Sequence, residues 1–169
     1  DLVKLSDSAA TAGFPAVEAV VGASAQVAAV PIVGSVVGIV NAKLDPVDGS
    51  MTSGSISLDT PVYRAASTKQ YVLVADSPDL IFEAEADAAV AYATVGLNAD
   101  IGASAHTNPL LTGASPMYVY STTAPSASAT RPLQIVGIVK RPDNEAAAAY
   151  NKVLVKITTH AYGNAIAGV

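Results

Sequence analysis

The sequence predicts an all-β protein, an antiparallel β-barrel or β-sandwich with an extended N-terminal arm and at most a short helix. Short runs rich in Val, Ile, Thr and Tyr recur along the 169 residues, and these residues favour strands. Stretches carrying Pro, Gly, Asp and Asn separate the runs, as turns separate strands. The number of runs suits a sandwich or a small barrel. The predicted strands are residues 25–30, 35–42, 55–58, 70–75, 80–86, 117–121, 132–139 and 152–159.

The chain is long enough for one domain with a core and too short for two comfortable ones. Residues 1–18 show neither the helical nor the strand period, so we predict an extended arm there. The β-domain is then expected to cover residues 19–169. We expect that deleting the arm leaves the domain folded and weakens contact with a partner.

Residues 19–40 carry no charge and are long enough to cross a bilayer as a helix. Pro31, three glycines, many β-branched valines and the lack of an aromatic belt or basic flank count against that helix. Two buried strands separated by a Gly/Pro break fit the segment better. We therefore predict no membrane partner.

Two segments echo each other, because VVGIVNAKLD at 36–45 and IVGIVKRPDN at 135–144 share VGIV before a polar turn. Around Gly38 and Gly137, apolar residues occupy both odd and even positions, so both faces of each predicted strand are apolar. This pattern is typical of strands covered on both faces. We expect two central strands that are neighbours in the fold. The echo by itself is too short to establish a duplication.

The stretch YVLVADSPDLIFEAEAD at 71–87 combines a turn with an alternating strand. Asp76 and Asp79 flank a Ser-Pro pair and are predicted turn residues. Alternation places Phe82 on the inner face as a core residue. It places three carboxylates on a solvated outer face: Glu83, Glu85 and Asp87. A Ca²⁺ site is the less favoured alternative, since a flat row of carboxylates diverges whereas hard cations need converging oxygens.

The densest mixed-charge cluster is KRPDNE at 140–145, which a functional interpretation would make a substrate clamp. A turn is better supported, because Arg141 precedes Pro142 and is biased to extended geometry. Asp143 and Asn144 can close that turn and cap the Ala-rich segment after it. One helical turn is predicted over NEAAAAY at 144–150.

Few residues carry catalytic chemistry. The net charge of −5 argues against nucleic acid as a partner, since that binding needs Lys and Arg. The chain has no cysteine, and neither His106 nor His160 stands at a metal-ligand spacing. A nucleophile elbow and a phosphate loop are both absent from the sequence. We predict no catalytic residue, cofactor, metal or small-molecule substrate, and a hydrolase using either histidine is the least favoured function.

Partner contacts are predicted instead. Apolar residues make up 51% of the chain and are mostly small, which indicates surface buried against partners. Tyr118 and Tyr120 share a strand face and are candidates for an aromatic ledge at a subunit contact; a core or rim role is the open alternative. Phe14 and Pro15 are candidate contacts in the arm.

Four stretches together resemble the capsid decoration proteins, also called cement or head-stabilising proteins, of tailed bacteriophages. They are YRAASTKQYVLVADSPDLIFEAEAD at 63–87, TVGLNADI at 94–101, RPLQIVGIVKRPDNE at 131–145 and NKVLVKITTHAYG at 151–163. The last one ends in the family's His-x-Tyr, here His160 and Tyr162. Ala65 and Ser77 stand where the family has Pro and Asp. The N-terminal third departs more, because no Pro-Phe-Gly precedes Phe14.

The resemblance implies a role and no reaction. A decoration protein binds the outer surface of the major capsid protein lattice and stiffens the head, so the expected location is the capsid exterior of a virion. The expected assembly is a homotrimer. The alternative is a head-fibre or tail component that binds host-surface carbohydrate, with Tyr118 and Tyr120 as stacking platforms.

Overall fold

A computed structural model describes residues 1–6, 15–20, 30–40, 43–44, 51–52, 71–104 and 115–163. These residues form an all-β fold in which every strand pairing is antiparallel, which confirms the predicted class. The one helix among them is a 3₁₀ turn at Tyr92–Thr94. The strands are β1 (Leu2–Leu5), β2 (Val17–Ala19), β3 (Ile32–Val40), β4 (Lys43–Leu44), β5 (Met51–Thr52), β6 (Tyr71–Ala75), β7 (Ile81–Glu85), β8 (Asn98–Ala103), β9 (Met117–Tyr120), β10 (Leu133–Ile138) and β11 (Lys152–Ile157).

The first sheet has four strands in the order β2, β1, β3, β6. Strand β1 comes from the predicted arm and lies between two others, with Leu2 opposite Ser35 of β3. Strand β2 includes residue 18, where the arm was expected to end. Deleting residues 1–18 would remove an interior strand, so we now expect the deletion to destabilise the sheet as well as any partner contact.

The second sheet has five strands in the order β7, β11, β10, β8, β9. It curls into a half-barrel whose outermost strands meet, since Ala86 forms a bridge with Val119. The Asp87 N–H also donates to the Val119 carbonyl at 3.1 Å. Its inner face carries the core side chains Ala99, Ile101, Ala103, Val119, Leu133, Ile135, Ile138, Val153, Val155 and Ile157.

The two sheets share this core. Val20, directly after β2, and Ile32, the first residue of β3, belong to the buried cluster, and Leu2 of β1 packs against it. Beyond β11, the chain returns to β3, where Ile32 N–H donates to the Thr159 carbonyl at 2.9 Å and Ala161 N–H donates to the Ile32 carbonyl at 2.7 Å. Backbone pairing therefore joins the end of the second sheet to the start of β3.

Most predicted strands are present, with shifts of a few residues at the ends. Strands β3, β6, β7, β9, β10 and β11 correspond to six predicted runs. Strand β8 was missed because Asn98 and Asp100 interrupt its apolar run. Of the predicted run at 25–30 only Val30 is described, and it is not in a strand; the run at 55–58 lies outside the described residues. Within the described ranges, no helix has the length and apolarity that a bilayer crossing requires.

Two local predictions were wrong. The NEAAAAY segment forms turns rather than a helical turn, because Ala147 and Tyr150 adopt positive φ values of 63° and 60°. Gly38 lies in β3 of the first sheet and Gly137 in β10 of the second, so the VGIV strands are not neighbours. Val37 beside Gly38 is 62% exposed, which shows that β3 is open on one face there.

Candidate interaction surface

The two tyrosines predicted to form a ledge lie on β9, an outermost strand of the second sheet. Val119 between them is fully buried in the core, so alternation turns both rings to the outer face. The ring centroids of Tyr118 and Tyr120 are 6.5 Å apart and the planes are tilted by 34°. Both side chains are half-buried, which leaves an outward aromatic surface that we call the tyrosine ledge.

The neighbouring strand β8 supports the ledge. Gly102 lies opposite Tyr118, and Asp100 lies opposite Tyr120. A Cβ atom at Gly102 would overlap the ring of Tyr118. Because Gly102 has no side chain, the Tyr118 ring can pack against the β8 backbone, which fixes the position of the ring.

A buried carboxylate lies beside the ledge and was not predicted. Asp100 is 3% exposed, and its Oδ2 is 3.8 Å from Nε of Arg131. Arg131 in turn donates to the Ala124 carbonyl at 2.7 Å. The signal was present in the sequence, because polar Asn98 and Asp100 alternate with apolar residues, but its weak apolar content hid the strand.

Asp87 closes the half-barrel rather than facing solvent as predicted. Its carboxylate accepts hydrogen bonds from the N–H and hydroxyl of Ser121, at 2.6 and 2.9 Å, and from those of Thr122, at 3.1 and 2.8 Å. Burial alone would raise the pKa of Asp87, but these bonds outweigh it and the pKa is lowered. We call this set, Asp87 with Ser121 and Thr122, the Asp87 clamp.

The clamp also acts on the ledge electrostatically. Burial raises the pKa of Tyr118, and the charge of Asp87 and the neighbouring Tyr120 raise it further. A tyrosine hydroxyl donates hydrogen bonds, so Tyr118 can donate one to a partner.

Of the remaining carboxylates of the 71–87 segment, Asp79, Glu83 and Glu85 lie as predicted, whereas Asp76 lies directly before the turn rather than in it. Glu83 and Glu85 are exposed, and Glu83 pairs with Arg141 at 2.7 Å. Asp79 lies in the Ser77–Leu80 turn and pairs with Lys156 at 2.8 Å. In the part of the chain that the structure describes, no group of three or more His, Asp or Glu side chains could hold a metal ion.

A cavity of about 300 Å³ lies between the two sheets. Its walls are mainly apolar and include Leu2, Phe82, Ile101, Met117, Leu133 and Val155. Phe82 is half-buried and packs against the core, on the inner face as alternation predicted. The polar lining residues are Asp1, Ser35, Glu83, Glu85 and Ser115, and Tyr118 of the ledge also lines the cavity.

The histidine that the structure describes has a structural position. His160 is 5% exposed, and its Nδ1 accepts the Tyr162 backbone N–H at 3.1 Å. It also forms a bridge with Ile32, at the junction between the sheets. Of the other predicted residues, Pro15 is exposed, while His106 and Phe14 lie outside the described residues.

Comparison with protein-family models found no match for this chain. Comparisons with curated proteins and with solved structures also gave no significant match.

Proposed function

We propose that this protein is a structural virion protein of a tailed phage. In this role it binds the outer surface of the major capsid protein lattice as a homotrimer and stabilises the head. The observation that carries the proposal is where the four family-like stretches fall. They contain β6 of the first sheet together with β7, most of β8, β10 and β11, which are contiguous in the second sheet, so the resemblance falls mainly on one sheet rather than on scattered loops.

The tyrosine ledge supports the proposal as a contact surface. Tyr118 and Tyr120 present half-buried rings on an outermost strand, and aromatic rings of this kind are enriched in protein interfaces. Repeated contacts on a lattice multiply a modest affinity through avidity, and a symmetric oligomer presents the ledge several times. The ledge needs no catalytic group to serve this role.

Co-sedimentation with undecorated heads tests the proposal. We expect the wild-type chain to sediment with heads at a copy number comparable to that of the major capsid protein. The variant Y118A/Y120A should bind at least tenfold more weakly, and the matched variant Y92A/Y150A, which removes two other exposed tyrosines, should bind like wild type. Failure of the wild-type chain to sediment with heads would refute the capsid role.

Carbohydrate binding is the second candidate function, and the same ledge favours it. Two neighbouring tyrosine rings can stack on a sugar, and the Tyr118 hydroxyl can donate to its oxygens. A head-fibre or tail component would be present at a few copies per particle. A glycan-binding screen, together with the copy number in purified particles, separates the two functions.

A further inference from the structure

Two groups of four strands in this chain have the same arrangement. The first sheet has the order β2, β1, β3, β6, and four strands of the second sheet have the order β9, β8, β10, β11. In each group the first strand along the chain lies between the second and the third, and the fourth lies beside the third. Every neighbouring pair is antiparallel. The two groups therefore have the same topology.

The third and fourth strands of each group also pair in the same register. Gly38 lies opposite Leu73 in the first sheet, and Gly137 lies opposite Leu154 in the second. When these pairs are superimposed, the others coincide: Ser35–Ala75 with Gln134–Lys156, Val36–Val74 with Ile135–Val155, and Ile39–Val72 with Ile138–Val153. The register is thus equivalent along the whole pairing.

Both pairings contain an irregularity at the same place. The register shifts between Val36 and Gly38 in β3, and between Ile135 and Gly137 in β10. One extra residue, Val37 or Val136, stands just before the glycine in each strand. Bulges re-aim a strand and are specific features of a fold, so a shared position is stronger evidence than a shared strand count.

The same alignment holds at matched pairs of the first two strands, and the β1–β3 pairing has a further irregularity between Val3 and Lys4. Leu2 pairs with Ser35 as Asn98 pairs with Gln134. Further along, Leu5 pairs with Val17 as Ile101 pairs with Val119. The residues directly before β1 and β8 also accept equivalent hydrogen bonds. The Asp1 carbonyl accepts the N–H of Val36, and the Leu97 carbonyl accepts the N–H of Ile135, both at 2.9 Å.

The sequences of the aligned strands agree with this pairing. VVGIV at 36–40 aligns with IVGIV at 135–139, and YVLVA at 71–75 aligns with KVLVK at 152–156. The connection between these segments is longer in the first group, 41–70 against 140–151, and it contains the paired strands β4 and β5. Because the connections differ in length, a search for repeats at one fixed spacing does not detect the similarity of 71–75 to 152–156.

We infer that the chain contains one four-stranded unit twice, at residues 2–75 and 98–157. The β4–β5 hairpin is an insertion in the first unit, and β7, which pairs with β11, is an addition to the second. The face of the first sheet that carries Val36, Val72 and Val74 corresponds to the core face of the half-barrel. This inference does not depend on the capsid proposal, because it concerns strand order and register alone.

Engineered disulfides test the shared register, and the absence of native cysteines makes the test clean. S35C/A75C and Q134C/K156C join residues that lie directly opposite each other, at a separation that a disulfide can span. The matched controls S35C/V74C and Q134C/V155C shift one partner to the opposite face. We expect both opposite pairs to cross-link within one chain under mild oxidation and both controls to stay reduced.

Cross-linking in different registers in the two sheets would overturn the inference. Interstrand nuclear Overhauser effects in the unmodified protein give a second measurement that needs no variant. They should place Gly38 opposite Leu73 and Gly137 opposite Leu154, with a bulge before each glycine. A regular ladder in either sheet would also contradict the duplication.

Discussion

Replacing Asp87 tests how the half-barrel is closed. The carboxylate accepts four hydrogen bonds from residues that come directly after β9, and it lies two residues beyond the end of β7. Thr122 is exposed, so water can replace its bonds. Ser121 is 7% exposed; its hydroxyl can turn to the Ala88 carbonyl at 3.0 Å, but its N–H would lose its acceptor. The buried Ser121 N–H is left without its charge-assisted bond, which gives an expected loss of about 2 kcal/mol for Asp87→Ala.

Urea unfolding at neutral pH measures this loss in the free energy of unfolding. In thermal unfolding, a chain of this size should show a Tm lower by about 4–8 °C. Asp87→Asn keeps one oxygen for the Ser121 donors, so its expected loss is smaller, about 1 kcal/mol. Glu85→Ala is the matched control, since it removes the same charge from an exposed position two residues away. The control should stay within about 0.5 kcal/mol of wild type.

The pH dependence gives an independent check. Because the folded-state pKa of Asp87 is lowered, its carboxylate contributes stability that is complete above the unfolded-state pKa of about 3.9. That contribution is lost as the pH falls through the lower folded-state pKa. The difference in unfolding free energy between wild type and Asp87→Asn should therefore narrow on acidification. Equal losses for Asp87→Ala and Glu85→Ala, or a difference that does not change with pH, would refute the clamp.

Three further substitutions test other parts of the fold. Phe82→Ala should lower the free energy of unfolding in urea by about 2–4 kcal/mol, because the ring is half-buried and lines the cavity. A loss below about 1 kcal/mol would show that Phe82 is not a core residue. Ala147→Gly should raise the Tm, because glycine adopts the φ of 63° without strain and the free energy of unfolding should rise by about 1 kcal/mol. The control Ala149→Gly should lower the Tm. The opposite order of the two Tm values would contradict the turn geometry. Asn144→Ala should lower the free energy of unfolding by about 2 kcal/mol, because the Asn144 side chain bonds the Val139 carbonyl and both backbone groups of Lys152. Asp143 is exposed, so Asp143→Ala should be near neutral. Comparable losses for the two variants would show that the Asn144 bonds do not stabilise the turn.

The sequence by itself determined the fold class and most of the strands. Alternation is a local property, so it correctly placed Phe82 on the inner face and Glu83 on the outer face, and it put Tyr118 and Tyr120 on one side of β9. Turn chemistry was equally local, and it located the Ser77–Leu80 turn correctly.

Only the tertiary structure decided which strands became neighbours. Strand order depends on contacts between distant parts of the chain, so the shared VGIV segment suggested adjacency where the two strands in fact occupy equivalent places in separate sheets. Asp87 looked like the next residue of a solvated row, yet the curl of the half-barrel brings Ser121 and Thr122 to it across 34 and 35 residues. A carboxylate's role is set by the donors that the fold delivers to it, and those donors are not local in the sequence.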